Sequence, residues 1–298
     1  MFDLVIRGAT LVSGETAEIG VAGGVIGAIG RGLVCERVVE AGGRLVSGGL
    51  VETHVHLDKS RIMGRCACGS AFGGGLAGAV RAVAAAKRGF TEADVCARAR
   101  ETLERAIGHG VMAMRTHVEV DPRIGLVGVR ALLRLKREYA WAIDLELCCF
   151  PQEGLIDDPG CEAVLVAALE AGCDLVGGAP YMDRDAHGQI GRIFAIARRF
   201  DVGIDFHLDN TLDGDGLDAL EVCRMTEAAG WGGRVAIGHA TKLSTLAPAD
   251  LEAVGRRLAA AGVSVAVLPA TDLFIMGAGL TENVPRGVAP AHRLRAAG

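Results

Sequence analysis

Aromatic residues are scarce in this chain, at 4% of its 298 positions, although half of all residues are hydrophobic. A folded core must therefore be packed mainly with Ala, Val, Leu and Ile. The length suits one large domain, or one domain with a small appendage, because single α/β barrels run to about 250 residues.

Long hydrophobic runs are missing as well. No stretch reaches the roughly 18 apolar residues that a membrane-spanning helix needs. The first seven residues also lack the basic and the long apolar regions of a secretion signal. We therefore expect a cytoplasmic protein with no membrane partner.

Basic residues are outnumbered, with 31 Lys and Arg against 36 Asp and Glu and a formal net charge of −5. This balance gives no reason to expect a nucleic-acid partner. The nine cysteines include no Cys-x-x-Cys pair, which argues against zinc knuckles and against a disulfide framework. Reduced, buried thiols are the expectation.

The chain divides into two regions by pattern. Residues 1–48 contain short apolar runs between glycine-rich turns, at residues 4–6, 10–12, 19–21, 25–29 and 44–46, which predict about five short antiparallel strands in a small sheet. In residues 49–298, seven strand-like runs alternate with helical stretches, which predicts βα units and a parallel sheet. The predicted strands cover residues 50–57, 111–120, 144–150, 174–178, 203–208, 235–238 and 263–268. The predicted helices cover residues 76–87, 93–107, 126–139, 161–171, 189–200, 217–229 and 248–261.

Side chains that can bind a metal or move a proton follow almost every predicted strand. In a parallel α/β barrel the carboxyl ends of the strands converge on one face, where active sites lie. Random scatter would not place histidines so consistently at these ends. The residues concerned are His54, His56, His117, Glu119, Gln152, Tyr181, His207, Asp209, His239 and Asp272.

His54 and His56 are the most informative pair. They end an apolar strand, and residues i and i+2 of a strand point to the same face. Two imidazoles held side by side form half of a divalent-metal site, although two hydrogen-bonded histidines at a polar strand end would show the same pattern. His207 ends another short apolar strand, and three neutral imidazoles suit Zn²⁺ or Fe²⁺.

Four further residues are candidates for the same face. His239 is a candidate for a further metal ligand or for a group that orients an attacking hydroxide. The alternative is a core histidine under a glycine turn. The Gln152 amide can donate and accept, which suits the edge of a planar heterocycle, although a single Gln is equally typical of a loop. His117 and Glu119 share one face of their strand and are expected to line the pocket. They match half of a zinc nucleoside deaminase motif, but its Pro-Cys-x-x-Cys half is absent.

The combination of these motifs resembles the amidohydrolase superfamily, and within it the cytosine deaminase and isopropylammelide aminohydrolase group. The segments that carry the resemblance span nearly the whole chain. They are Gly48-Gly49-Leu50-Val51-Glu52-Thr53-His54-Val55-His56-Leu57-Asp58-Lys59, Arg115-Thr116-His117-Val118-Glu119-Val120-Asp121-Pro122, Phe150-Pro151-Gln152-Glu153-Gly154, Asp205-Phe206-His207-Leu208-Asp209 and Gly238-His239.

The resemblance implies a TIM-type (β/α)₈ barrel with a small N-terminal sheet that forms part of a β-sandwich. It also implies one divalent metal ion, zinc or iron, on His54, His56 and His207. By the same resemblance His239 stabilises the attacking hydroxide and Gln152 grips the substrate ring. The fourth predicted strand contains no lysine, which favours one metal ion over a lysine-bridged pair.

Two departures from the family pattern stand out. Cytosine deaminases have a proton-shuttling Glu three residues after the histidine of the fifth strand, where this chain has Asn210. An amide cannot carry a proton at a useful pKa, so the neighbouring Asp209 is the candidate substitute. In the family, the eighth strand supplies an Asp that binds the metal, and this strand would begin where the sequence stops. Asp272, which follows the seventh predicted strand, is a distant candidate for the same role.

The leading hypothesis is a metal-dependent hydrolase that removes ammonia or an alkylamine from a cytosine-like or triazine-like ring. Gln152, Glu119 and His117 would hold this small nitrogen heterocycle, while His239 and Asp209 would act in catalysis. The alternative is a truncated, non-catalytic barrel that binds a metal or a ligand without turnover. Its unpaired barrel edges would make a homo-oligomer plausible.

Overall fold

A computed structural model describes residues 1–66, 75–212, 216–278 and 280–298 of the chain. The described chain forms two compact units, Met1–Leu50 and Val51–Gly298. Among the described residues, no helix combines the length and the apolar character that crossing a membrane requires.

The N-terminal unit contains a four-stranded sheet with the order β3-β2-β1-β4. A small core around Ala9, Ile19 and Ala41 packs against it. β1 pairs antiparallel with β2, and β2 with β3, whereas β1 and β4 are parallel. The strands are β1 (Phe2–Thr10), β2 (Thr16–Ala22), β3 (Val25–Gly30) and β4 (Cys35–Glu40).

This sheet corrects the expectation of about five antiparallel strands. The predicted run around Leu45 contributes only one isolated bridge, between Thr10 and Leu45. β4 escaped prediction because its side chains are almost all exposed, so no apolar alternation marks it. Its parallel pairing with β1 depends on backbone hydrogen bonds that a side-chain pattern does not reveal.

The second unit is a nearly closed parallel barrel with helices between the strands, which confirms the predicted fold. Its sheet has seven strands in the described residues, and they lie in sequence order from β5 to β11. They are β5 (Leu50–Val55), β6 (Val111–Glu119), β7 (Asp144–Phe150), β8 (Leu175–Val176), β9 (Gly203–Leu208), β10 (Val235–His239) and β11 (Val263–Ala266).

The helices alternate with these strands because apolar stripes face the barrel and charged faces meet water. α3, for example, buries Val129, Leu132 and Leu135 on one side, while Lys136 and Arg137 lie in its last turn. The helices are α1 (Gly75–Lys87), α2 (Glu92–Gly108), α3 (Val127–Glu138), α4 (Cys161–Ala171), α5 (Ala186–Phe200), α6 (Asp218–Ala229), α7 (Pro248–Ala261), α8 (Pro269–Ile275) and α9 (Ala291–Ala297).

The scarcity of aromatic residues is visible in the barrel core. Most of its fully buried side chains are aliphatic, with Phe150, Phe194 and Phe206 as the largest exceptions. All described cysteines are free, as expected for a reduced chain. The parallel strands direct their carboxyl ends to one face, and this face carries the polar residues described next.

Candidate metal centre and substrate pocket

Three histidines meet at the carboxyl face of the barrel. His54 and His56 come from the end of β5, and His207 comes from β9. The Nε2 atom of His207 lies 3.1 Å from Nε2 of His54 and 3.1 Å from Nε2 of His56. The structure thus brings together the three residues that the sequence predicts as metal ligands.

The spacing and the protonation of these rings fit a divalent ion. Zinc binds imidazole nitrogens at about 2.0–2.1 Å, which places neighbouring ligand nitrogens roughly 3.0–3.4 Å apart. His56 Nδ1 donates to the backbone carbonyl of His117 at 3.0 Å, so its Nε2 carries the lone pair. Burial is the main cause that lowers the pKa of all three histidines well below the ordinary value, and neutral imidazole is the form that binds metal.

The backbone beside His54 leaves room for its ring. A Cβ atom at Gly238 would lie 2.8 Å from His54 Nδ1, so a side chain there would displace the imidazole. The same strand ends at His239, whose φ of +68° is in the left-handed region. Strained backbone of this kind persists where the surrounding structure holds it, often at functional sites.

His239 is held by a carboxylate. Its Nδ1 lies 2.7 Å from Oδ1 of Asp272, which is completely buried in α8. The ring centroid of His239 lies 5.5 Å from that of His207, so the pair borders the metal centre. The sequence suggested Asp272 as a remote metal ligand; the structure instead pairs it with His239.

A cavity of about 180 Å³ adjoins the metal centre. It has room for one small ring, and its walls combine polar side chains with the apolar face of α1. The polar lining residues are His56, Lys59, Glu119, Gln152, Tyr181, His207, Asn210, His239 and Thr271. Two of the predicted substrate contacts, Glu119 and Gln152, are therefore at the cavity.

Two lysines keep the carboxylate of Glu119 ionised. Lys59 forms an ion pair with it, and Lys87 Nζ lies 3.1 Å from its other oxygen. Burial opposes ionisation, but the two positive charges outweigh it and lower the pKa of Glu119. Lys87 is itself buried and also contacts Asp121, at 2.6 Å, and Glu153.

His117 and Asp209 lie elsewhere than predicted. His117 is fully buried and stacks on His54, with 4.0 Å between ring centroids, rather than lining the cavity. The oxygens of Asp209 accept from the backbone N–H groups of Asp218 and Ala219, each at 3.1 Å, at the start of α6. Alternation along a strand predicts on which face of the sheet a side chain lies, but not how deep in the barrel it lies. This explains why His117 does not line the cavity. The chain turns after β9, with a φ of +47° at Asp209, and this turn presents Asn210 to the cavity.

Sequence reasoning missed the roles of Lys59 and Lys87. Lys59 is the last residue of the first segment that resembles the family, residues 48–59. Its position three residues after His56 was the available signal. Lys87 ends a helix and is typical there of a solvated residue, so no local pattern indicated its burial. The glycine-rich residues 71–78 also predict a pocket loop from the sequence, and residues 71–74 of this stretch lie outside the described residues.

Comparisons with known proteins identify relatives of this chain. No family model matches the chain. The chain is 30% identical over 251 residues to N-isopropylammelide isopropyl amidohydrolase of Pseudomonas sp. (strain ADP), which covers 80% of this chain and 61% of that protein. It is 28% identical over 255 residues to a pterin deaminase of Rhizobium rhizogenes, with 83% of this chain and 56% of the relative covered.

A solved structure shows the same architecture. The 5-methylcytosine deaminase of Klebsiella pneumoniae, liganded with 5-fluorocytosine, superposes with a TM-score of 0.91 at 26% identity. The match covers 99% of this chain and 72% of that one. This chain spans about three fifths of the length of the curated relatives it matches. These matches confirm the predicted resemblance to the deaminase-like group of the amidohydrolase superfamily.

Proposed function

We propose that this protein is a metal-dependent hydrolase that releases ammonia or an alkylamine from a cyclic amidine, such as a cytosine-like or triazine-like ring. One observation carries the proposal: three neutral imidazoles direct their Nε2 atoms at one point on the wall of a ring-sized cavity. The names of the relatives, an amidohydrolase of N-isopropylammelide and a pterin deaminase, support C–N hydrolysis on such rings.

His54, His56 and His207 would hold one divalent ion, zinc or iron. When bound, such an ion supplies Lewis-acid activation of water. Each ring presents a lone pair only while it is neutral, and the burial that lowers the pKa of these histidines keeps it so. The carbonyl of His117 fixes the tautomer of His56.

His239 and Asp272 would handle the proton of the attacking water. The carboxylate of Asp272 accepts from Nδ1 and thereby leaves Nε2 of His239 as the basic nitrogen. A positioned imidazole of this kind holds a proton during attack and can return it to the departing amine. Asp272 also fixes the ring orientation, as the carboxylate partner of a general base does.

Gln152 and Glu119 would orient the ring. Nε2 of Gln152 has no hydrogen-bond partner among the described residues and is free to donate to a ring acceptor. Glu119 remains ionised between Lys59 and Lys87 and can accept from an N–H group of the substrate. The apolar side chains of α1 at the cavity would exclude water from the opposite side.

The test is amine release by metal-loaded protein from cytosine-, pterin- and triazine-type rings, with metal content measured in parallel. We expect release to require zinc or iron and to disappear with a chelator. His207→Ala should lose both bound metal and activity. His109→Ala, at the exposed end of α2, is the matched histidine control and should retain both.

Two outcomes would contradict the proposal. Unchanged zinc and iron affinity in His207→Ala would show that the ion binds elsewhere. Tight metal binding to the three histidines with no release from any of the rings would favour the rival, a barrel that binds metal or ligand without turnover.

A further inference from the structure

We propose that Asp183 is a positioning residue for substrate binding. Its carboxylate would fix the segment that carries Gln152 against the turn that carries Tyr181, and both of these side chains line the cavity. Asp183 itself is not among the described residues of the cavity wall. The inference rests on the proposed function, because the segment that Asp183 holds would contact the substrate.

Asp183 is buried, and its carboxylate accepts from three consecutive backbone N–H groups of the segment after β7. Oδ2 accepts from Leu155 and from Ile156, each at 3.0 Å. Oδ1 accepts from Asp157 at 3.0 Å. Hydrogen bonds to an ionised group are about twice as strong as those between neutral groups. The carboxylate therefore holds this segment more firmly than a neutral acceptor would.

Gln189 of α5 fixes the carboxylate in turn. Its side chain is completely buried, and its Nε2 donates to Oδ2 of Asp183 at 2.6 Å. The same amide bonds to the backbone of Ala179, with Oε1 accepting from the N–H group at 2.8 Å and Nε2 donating to the carbonyl at 3.3 Å. Ala179 and Asp183 flank the 3₁₀ turn Pro180–Met182, which contains Tyr181. Gln189 thus holds both ends of this turn, and Asp183 connects the turn to the segment after β7.

Gly154 lets the chain pass directly against this carboxylate. Its φ of +109° lies in the left-handed region, and a Cβ atom there would lie 2.6 Å from Oδ1 of Asp183. Gln152 lies between Gly154 and Phe150, the last residue of β7. The strand fixes the chain on one side of Gln152 and the contact with Asp183 fixes it on the other, so the amide stays at the cavity.

A second link between the same two segments provides a matched control. Arg184 forms an ion pair with Asp157 at 2.8 Å, and the arginine side chain is 91% exposed. Water screens such a pair, so it holds the two segments together only weakly. Arg184→Met removes this exposed link, whereas Asp183→Asn weakens the buried one.

The experiment measures the steady-state kinetics of amine release by zinc-loaded protein. The substrate is cytosine, pterin or ammelide, whichever ring the unchanged protein hydrolyses fastest. Asp183→Asn leaves one acceptor oxygen for the four donors, so the segment should loosen. We expect KM to rise by about 10-fold while kcat stays within about threefold, because binding shared by substrate and transition state is lost. Arg184→Met should leave both constants unchanged.

Two further variants separate positioning from a general loss of structure. Asp183 would act through Gln152, so adding Asp183→Asn to Gln152→Ala should change KM by less than about twofold. A defect that acts independently of Gln152 would multiply the two effects instead. Gly154→Ala keeps the buried carboxylate but places a Cβ atom against it, and this variant should also raise KM.

The outcomes separate this inference from the proposed function. An unchanged KM in Asp183→Asn and Gly154→Ala would overturn the inference, and so would effects of Asp183→Asn and Gln152→Ala that multiply. Loss of zinc from Asp183→Asn would overturn it too, because the residue would then act on the metal centre. If Asp183→Asn does not fold, the KM of Gly154→Ala decides. All of these results leave the proposed function standing, whereas no release from any of the three rings by the unchanged protein would remove both.

Discussion

Two buried polar clusters in the barrel unit differ in how their groups are paired. The imidazole cluster comprises His54, His56, His117 and His207. The lysine cluster comprises Lys59, Lys87, Glu119, Asp121 and Glu153. In the lysine cluster the buried ammonium group of Lys87 contacts three carboxylates directly.

In the imidazole cluster, by contrast, several nitrogens have no partner among the described residues. They are Nδ1 of His54, Nδ1 of His207 and Nδ1 of His117, whose Nε2 lies 3.5 Å from a carboxylate oxygen of Asp205. Burial without a partner is costly for a polar group, so the sequence would gain stability from apolar residues here. The difference teaches that the lysine cluster pairs its buried charges with one another, whereas the three Nε2 atoms that would hold the proposed ion have, in the described part of the chain, only one another within hydrogen-bond distance.

Removal of Lys87 should have the largest effect on stability. Lys87→Met leaves buried carboxylates without their shared cation, and breaking a buried pair in this way costs about 3–5 kcal/mol. Urea unfolding of the metal-free protein measures this difference. Arg134→Met, which removes an exposed ion pair within α3, is the control and should change the stability little, because water screens the pair. Similar losses in the two variants would break the comparison, because Lys87 would then behave as a surface charge.

Asp272→Asn tests the carboxylate that bonds to His239, whose ring lies next to the imidazole cluster. The amide cannot hold the imidazole in the same tautomer and charge state, so we expect kcat for amine release to fall by about 10²-fold or more. The metal content should stay unchanged, since Asp272 pairs with His239 rather than with the three ligands. Loss of metal from Asp272→Asn would instead place this carboxylate among the ion's ligands.

Much of the barrel could be predicted because its strands are short apolar runs bounded by glycine and helix signals. The predicted bounds of β7 and β9 coincide with those in the structure. The convergence of His54, His56 and His207 follows from parallel topology alone, since all three end strands. Alternation and topology therefore sufficed for the fold of this unit and for the proposed ligands.

The rest of the site depends on contacts that no local pattern encodes. Lys87, the last residue of α1, contacts Glu119, the last residue of β6, across 32 positions of sequence. Asp272 reaches His239 through α8, which begins at Pro269, directly after the predicted end of the seventh strand at residue 268. Tyr181 lies in a single 3₁₀ turn and Asn210 in the loop after β9, and in such short segments period and propensity carry little information.

Asp94 and its two arginine partners form a third polar cluster, which is less buried than the other two and sharpens the comparison. It lies between Arg65, at 2.6 Å, and Arg98, at 2.9 Å, and the hydrogen bonds from Arg65 are the main cause that lowers its pKa to about 2. A depressed carboxyl pKa contributes stability above the unfolded value near 3.8, and this contribution is lost as the pH falls towards 2. Because water screens the pair, Asp94→Asn should cost about 1 kcal/mol at pH 7.

The pH dependence is the decisive measurement for Asp94. Thermal or urea unfolding at pH 7, 4 and 3 should show the two proteins converging as the pH falls. A difference that stays constant down to pH 3 would mean that the charge of Asp94 contributes nothing and that only its shape matters.

Asp209→Asn should have the smallest effect and decides between two roles for this residue. Its oxygens accept from the first N–H groups of α6, and an amide can replace only part of this cap, so we expect a loss of about 0.5–1 kcal/mol. If Asp209 only caps the helix, the rate of amine release should stay within about twofold of the unchanged protein. A proton shuttle at this position would instead lower the rate by about 10² to 10⁴. The cavity position of Asn210 and the cap at Asp209 favour the first result, which would leave His239 and Asp272 as the proton-handling pair of the site.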